Sequence, residues 1–208
     1  MTEKEINRLQ ALISFDREFG QAPLLGIDEV GRGCLAGPVV AGCVCMPDGV
    51  LIEGVKDSKK LSEKQREKIA AEIREKAVFW AVGSASVEEI EALNIVAATK
   101  LAMQRAFMHW QGADPFVLID AIDPAFLPAR GCGVVKADAQ SYAVAAASIV
   151  AKVYRDGLMC EMAKQWPAYQ FENNKGYGTA AHCRALKDVG PCPAHRPSFI
   201  GGILHGRP

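Results

Sequence analysis

Three short apolar runs in this chain each end in a carboxylate, and that pattern constrains the fold more than any other feature. Leu24-Leu25-Gly26-Ile27 runs into Asp28 and Glu29, Phe116-Val117-Leu118-Ile119 into Asp120, and Val134-Val135-Lys136-Ala137 into Asp138. Short continuous apolar runs are the mark of strands buried on both faces. A buried strand avoids ionised groups unless something at its end needs them. Three such ends brought together make an oxygen-rich cage of four acids, the donor set that Mg²⁺ or Mn²⁺ prefers. Adjacent residues of a regular strand point to opposite faces, so a cage holding both Asp28 and Glu29 requires a bend, which Gly31 and Gly33 could supply.

The remaining periodicities alternate with these runs. Helical spacing is expected over residues 2–19, with Ile6, Leu9, Leu12 and Ile13 on one side. A second strand is expected over Pro38–Met46. Ser62 with Gln65, and Ser86 with Glu89, have the spacing of capping boxes. Val78–Ala85 reads as a strand, Ile95–Trp110 as a helix and Gly133–Lys136 as a short strand. Residues 139–166 read as a helix that opens on the small residues Ala143–Ala147 and is kinked or divided at Gly157. Thr179 opens a last short helix, and Pro191, Pro193 and Pro197 are expected to keep the tail extended. Strands first, then strands alternating with helices, give an α/β sandwich around a mixed sheet.

Composition excludes several classes. Lys plus Arg and Asp plus Glu are 24 each in 208 residues, so no strongly basic surface exists for indiscriminate nucleic-acid binding. Any such site must be a local basic patch. No apolar stretch is long enough to span a membrane, and the charged start has no signal-peptide character. The seven cysteines are scattered without a CxxC pair, so they read as reduced core thiols of a cytoplasmic protein.

Three further segments carry chemistry. Gly31-Arg32-Gly33 can bring backbone N–H groups close to a ligand, and a 2′-hydroxyl is a group such contacts can recognise. Lys59 and Lys60 lie in a loop before a helix, where phosphates are met, whereas Lys64, Arg66 and Lys68 read as a solvated helix face. In Asn174-Lys175-Gly176-Tyr177-Gly178-Thr179, glycines flank a tyrosine able to pack on a sugar or base.

From about Leu24 to Phe199 these segments resemble bacterial ribonuclease HII, through GIDEVGRGCLAGPVVAG, KDSKKLSEKQRE, LIDA, VVKADAQSYAVAAASIVAKVYRD, NKGYGT and AHRPSF. The resemblance implies an RNase H-like α/β fold, with a mixed central sheet flanked by helices. It implies a single catalytic domain over 1–208, with an N-terminal helix to about residue 20 and a C-terminal helical portion and tail from about 157. The family's metal-binding acids fall on Asp28, Glu29, Asp120 and Asp138, its 2′-hydroxyl sensor on Gly31, Arg32 and Gly33, and its sugar-stacking tyrosine on Tyr177. Two divalent ions, Mg²⁺ or Mn²⁺, are expected with substrate. The expected substrates are RNA–DNA hybrid and duplex DNA carrying a ribonucleotide, cut to leave 5′-phosphate and 3′-hydroxyl. Lys59, Lys60, Lys175 and Arg196 are expected to contact phosphates, and Asp156 to be structural. The family usually has glycine where this chain has Ala121 and Ala137, which costs about 1 kcal/mol wherever that glycine takes a positive φ. No clamp-binding peptide is evident at the C-terminus, and a monomer is expected. Ribonuclease HIII is the nearest other reading, disfavoured by Asp138 in place of Glu. A silent nucleic-acid-binding module and a dinucleotide-binding protein are poorer, since GRGCLAG is not GxGxxG.

Overall fold

The computed structural model describes residues 1–20, 23–55 and 61–204. Five strands form one mixed sheet: β1 (Leu24–Val30), β2 (Val39–Cys45), β3 (Phe79–Ala85), β4 (Phe116–Asp120) and β5 (Arg130–Val134), in the order β3-β2-β1-β4-β5. β1 pairs antiparallel with β2 and β2 with β3, while β4 runs parallel to both β1 and β5. The helices are α1 (Glu3–Arg17), α2 (Glu63–Lys76), α3 (Val87–Leu93), α4 (Ile95–Phe107), α5 (Tyr142–Gln165), α6 (Phe171–Asn174), α7 (Ala180–Val189) and α8 (Pro197–Leu204).

The long α5 lies on one face of the sheet at backbone contact. A Cβ on Gly26 of β1 would come 2.2 Å from Ala143 C, and one on Gly42 of β2 would come 2.4 Å from Ala147 O. The alanine run of α5 and the two glycines of the sheet are therefore one packing device. On the other face Gly83 of β3 admits α4 in the same way, 2.2 Å from Ala102 O. Leu25, Ile27, Val39, Ala41, Val117 and Ile119 form a core with Ala102, Met103 and Phe107 of α4. Leu9 and Leu12 of α1 and Ile69, Ala70 and Ile73 of α2 cluster with the outer side of α5. A separate core of Leu35, Met159, Phe171, Leu186, Ala194 and Ile200 holds the C-terminal helices together.

Both expected capping boxes form, at Ser62 with Gln65 and Ser86 with Glu89, and Thr179 caps α7. Several expectations need correction. Gly157 does not divide α5, which runs unbroken for 24 residues; Gly157 sits at open space, where nothing pulls on the helix. Pro197 does not extend the tail but starts α8, a position where its missing N–H and fixed φ suit a helix. The last strand is Arg130–Val134 rather than Gly133–Lys136, because Lys136 takes a left-handed conformation (φ 59°) that ends the ladder. Ile95–Trp110 stops at Phe107.

Candidate active site

β1 and β4 point their carboxyl ends the same way, and their ladder stops at Ile27 opposite Ile119. The next residues, Asp28 and Glu29 on β1 and Asp120 on β4, therefore emerge where the sheet opens. Asp138 arrives from a 3-10 turn, Ala137–Ala139, just after β5. All four line one cavity of about 440 Å³, together with Gly31, Arg32, Arg66, Ser148, Lys152 and Tyr177. The expected bend between Asp28 and Glu29 is absent: both keep regular pairing with Gly42 and Ala41 of β2. Ser148 and Lys152 of α5 and residues from both strands line the cavity, and both neighbouring acids border it. A roomier cavity, about 790 Å³, lies at the opposite end of β1 and has mostly apolar walls, including Ile13, Leu24, Met46, Trp110 and Tyr142.

Burial and mutual repulsion shape the acids. Asp28 is 7% exposed, and its carboxyl is pushed up to about 8, first by desolvation and then by the charge of Glu29, with a hydrogen bond from Ser148 opposing. Desolvation also raises Glu29, against the pull of Arg32, whose Nη1 lies 3.2 Å from Glu29 Oε1. Among the described residues, the other oxygen of Glu29 is buried without a hydrogen-bond partner. Asp28 accepts from the Glu29 backbone N–H at 2.8 Å, and Asp120 from that of Ala137 at 2.8 Å. Among the described residues, no group of three or more His, Cys, Asp or Glu converges on one point. An orphaned carboxylate oxygen, two acids held above their usual range and hard oxygen donors all fit a divalent cation, which would supply the missing charge.

The two alanines that stand for the family's glycines differ. Ala121 has φ 54°, the strained left-handed region, whereas Ala137 is not among the residues with positive φ and is buried. Gly31 (φ 96°) is demanded by the fold, since a Cβ there would come 2.2 Å from Arg155 Nε. Gly33 is not: a Cβ would meet nothing within 4 Å. Its bare backbone faces open space beside the cavity. Tyr177 is 39% exposed, with Lys152 Nζ 5.5 Å and Arg155 Cζ 5.9 Å from its ring centre.

Two of the cations expected on phosphates are internal instead. Lys175 is 8% exposed, with Nζ 2.8 Å from Glu63 Oε1 and 3.2 Å from Cys160 Sγ. Arg196 is fully buried, donating to the carbonyls of Gly31 (2.8 Å), Arg32 (2.9 Å) and Gly37 (2.7 and 3.0 Å). Lys59 and Lys60 lie outside the described residues, as does 205–208 of the tail on which a clamp peptide would end. Asp156 lies 2.7 Å from Lys152 Nζ and 3.7 Å from Arg66 Nη2, a structural ion cluster. Sequence reasoning missed Ser148 and Lys152, one helical turn apart on α5. Arg66 was read as a solvated face, yet it borders the cavity and lies 3.7 Å from Asp156, a contact between α2 and α5 that sequence spacing does not show.

A family model described as Ribonuclease HII matches residues 25–201. Ribonuclease HII of Caldanaerobacter subterraneus subsp. tengcongensis is 42% identical over 207 residues, spanning 98% of this chain and 86% of that protein. Ribonuclease HII of Desulfitobacterium hafniense is 47% identical over 198 residues, spanning 94% and 76%. Among solved structures, the Archaeoglobus fulgidus RNase HII, determined as a PCNA complex, superposes with a TM-score of 0.72 at 27% identity, covering 86% of this chain and 96% of that one. Ribonuclease H2 of Pyrococcus horikoshii gives 0.70 at 26% identity, covering 88% and 97%. With its RNase H-like α/β architecture, this chain belongs to the ribonuclease HII family, and it is a metal-dependent nuclease of the ribonuclease H type.

Proposed function

We infer that the enzyme hydrolyses the RNA strand of RNA–DNA hybrids and cuts duplex DNA on the 5′ side of an embedded ribonucleotide, leaving 5′-phosphate and 3′-hydroxyl ends. The observation that carries this reading is one cavity lined by four carboxylates together with Gly31, Arg32 and Tyr177.

Asp28, Glu29, Asp120 and Asp138 would hold two Mg²⁺ or Mn²⁺ ions together with the scissile phosphate. When bound, such ions lower the pKa of a water and stabilise the charge developing on the leaving oxygen. The chain's own residues do the remainder. Among the described residues one oxygen of Glu29 has no hydrogen bond that ligation would break. Ser148 donates towards Asp28 and orients it. Arg32, half-exposed and paired with Glu29, reaches from the acid wall to the sugar-reading loop. The N–H groups beside Gly33 read the 2′-hydroxyl, and Tyr177 packs on the neighbouring sugar. Lys59 and Lys60 meet the backbone phosphates, and the chain works as one catalytic domain.

The test uses a duplex DNA with one internal ribonucleotide, incubated with Mg²⁺ or Mn²⁺ or with EDTA, and products sized on a gel. One metal-dependent cut 5′ to the ribonucleotide is expected. Cleavage of long hybrid alone would remove the embedded-ribonucleotide part of the reading, and no cleavage of either would remove all of it.

A further inference from the structure

Ribose selectivity, on the reading above, depends on two separate pieces of chain, the Gly31–Gly33 loop and Tyr177. Both are anchored to one dipeptide. Arg196 draws the carbonyls of Gly31 and Arg32 inward. There is no cis peptide among the described residues, and across a trans peptide N–H points opposite to C=O. The N–H groups of Arg32 and Gly33 are therefore turned away from Arg196. The preceding residue, His195, reaches the other piece. Its Nε2 is 3.0 Å from Nε2 of His182, and His182 Nδ1 is 2.8 Å from the Tyr177 carbonyl.

The tautomers follow from that carbonyl, which only accepts. His182 must carry its proton on Nδ1, so its Nε2 accepts, so His195 donates from Nε2 and accepts at Nδ1. A donor is waiting there, the Cys192 backbone N–H at 3.0 Å. Every position in the chain is satisfied by two neutral rings and by one arrangement of protons. Both rings are buried, His182 fully and His195 to 2% exposure. Tyr169 packs edge-on to His195 with ring centres 4.6 Å apart, and Phe171 to His182 at 5.4 Å. Backbone contacts finish the assembly: Arg196 N–H donates to Leu35 O, Gly37 N–H to Ala194 O and Leu35 N–H to Gly176 O, each at 2.8 Å.

We propose that His195 and Arg196 are positioning residues for ribose recognition, holding the Gly31–Gly33 amides and Tyr177 in register from one fixed point. The proposal rests on the sugar-reading role given to those groups above. Arg196 therefore acts without touching a phosphate, and His182 and His195 act without touching the substrate.

The test compares kcat/KM on two duplexes that differ at one position, a 2′-hydroxyl in one and a 2′-fluorine in the other. Their ratio is independent of how much enzyme is folded, so a merely structural defect leaves it unchanged. The variants are His195→Phe, His195→Gln, which can still donate to His182, and Arg196→Lys, which cannot span three carbonyls. The wild type should favour the hydroxyl strongly. His195→Phe and Arg196→Lys should each lower the ratio about tenfold or more, the scale of one displaced hydrogen bond, while His195→Gln stays near wild type. A strong wild-type preference that either variant retains would overturn the shared anchor alone. A wild-type ratio near one would overturn the ribose reading itself, and the proposal with it.

Discussion

The backbone N–H of Ala137 donates to Asp120 Oδ1 at 2.8 Å, tying the end of β4 to the turn that carries Asp138. The end of β4 and the residue before Asp138 are thus held together. Asp120→Asn keeps a carbonyl acceptor for that N–H but loses the charge. It should melt within about 2 °C of the wild type, while kcat falls by at least about 100-fold, roughly 3 kcal/mol of transition-state stabilisation. Asp120→Ala should lose the same activity and also about 1 kcal/mol of stability. Thermal melts beside single-turnover rates separate the two effects, and an active Asp120→Asn enzyme would contradict the acid cluster.

Ala121 and Ala137 respond differently to glycine. At Ala121, with φ 54°, glycine relieves left-handed strain and should stabilise by about 1 kcal/mol, or about 2–4 °C in melting temperature. Ala137 is buried without positive φ, so glycine there should gain nothing and cost roughly 0.5–1 kcal/mol. Equal effects at both positions would contradict this.

Removing charge at Asp28 should stabilise the metal-free protein, because burial and Glu29 already disfavour its ionised form. In EDTA, Asp28→Asn should melt above the wild type. Adding Mg²⁺ or Mn²⁺ should raise the wild-type melting temperature and leave the variant almost unmoved. Calorimetry in both conditions checks it.

Asp16 of α1 accepts from the Ala143 N–H at the start of α5, 3.0 Å away. Burial pushes its carboxyl up to about 6, against hydrogen bonds from Ser141 and Ala143. A raised folded-state value means stability that is complete below about pH 4 and lost as pH rises through about 6. Asp16→Asn, which still accepts but does not titrate, should therefore match the wild type near pH 4 and exceed it at pH 8, by up to about 2 kcal/mol. Chemical denaturation across that range reads the crossover; a constant gap would sink the assignment.

The internal place of Lys175 makes a contrasting claim. Its ammonium is occupied by Glu63 and Cys160, so Lys175→Met should leave the salt dependence of DNA binding unchanged. A phosphate contact would instead reduce the slope of log K against log salt by about one.

Asp28, Glu29 and Asp120 were legible because each closes an apolar run at the end of a strand, a local pattern, whereas Asp138 sits on a turn beyond β5. The capping boxes were legible for the same reason. Arg196 was not: its partners Gly31, Arg32 and Gly37 are about 160 positions away, and sequence shows a charge without showing what receives it. Lys175 failed likewise. Asp28 and Glu29 border one cavity without the expected bend, since β1 keeps its pairing with β2 through both. Ser148 and Lys152 were hidden in a helix whose small, apolar residues advertised packing alone.

The two buried guanidiniums have one more effect. Arg155 and Arg196 are hydrogen-bonded to backbone carbonyls of Gly31, Arg32, Ala36, Gly37, Pro38 and Lys175. Those oxygens satisfy their protons but do not neutralise their charge, and among the described residues neither makes an ion pair. Two buried positive charges therefore stand behind the glycine loop. The glycine loop is thus held on charge that the fold buries rather than on surface cations.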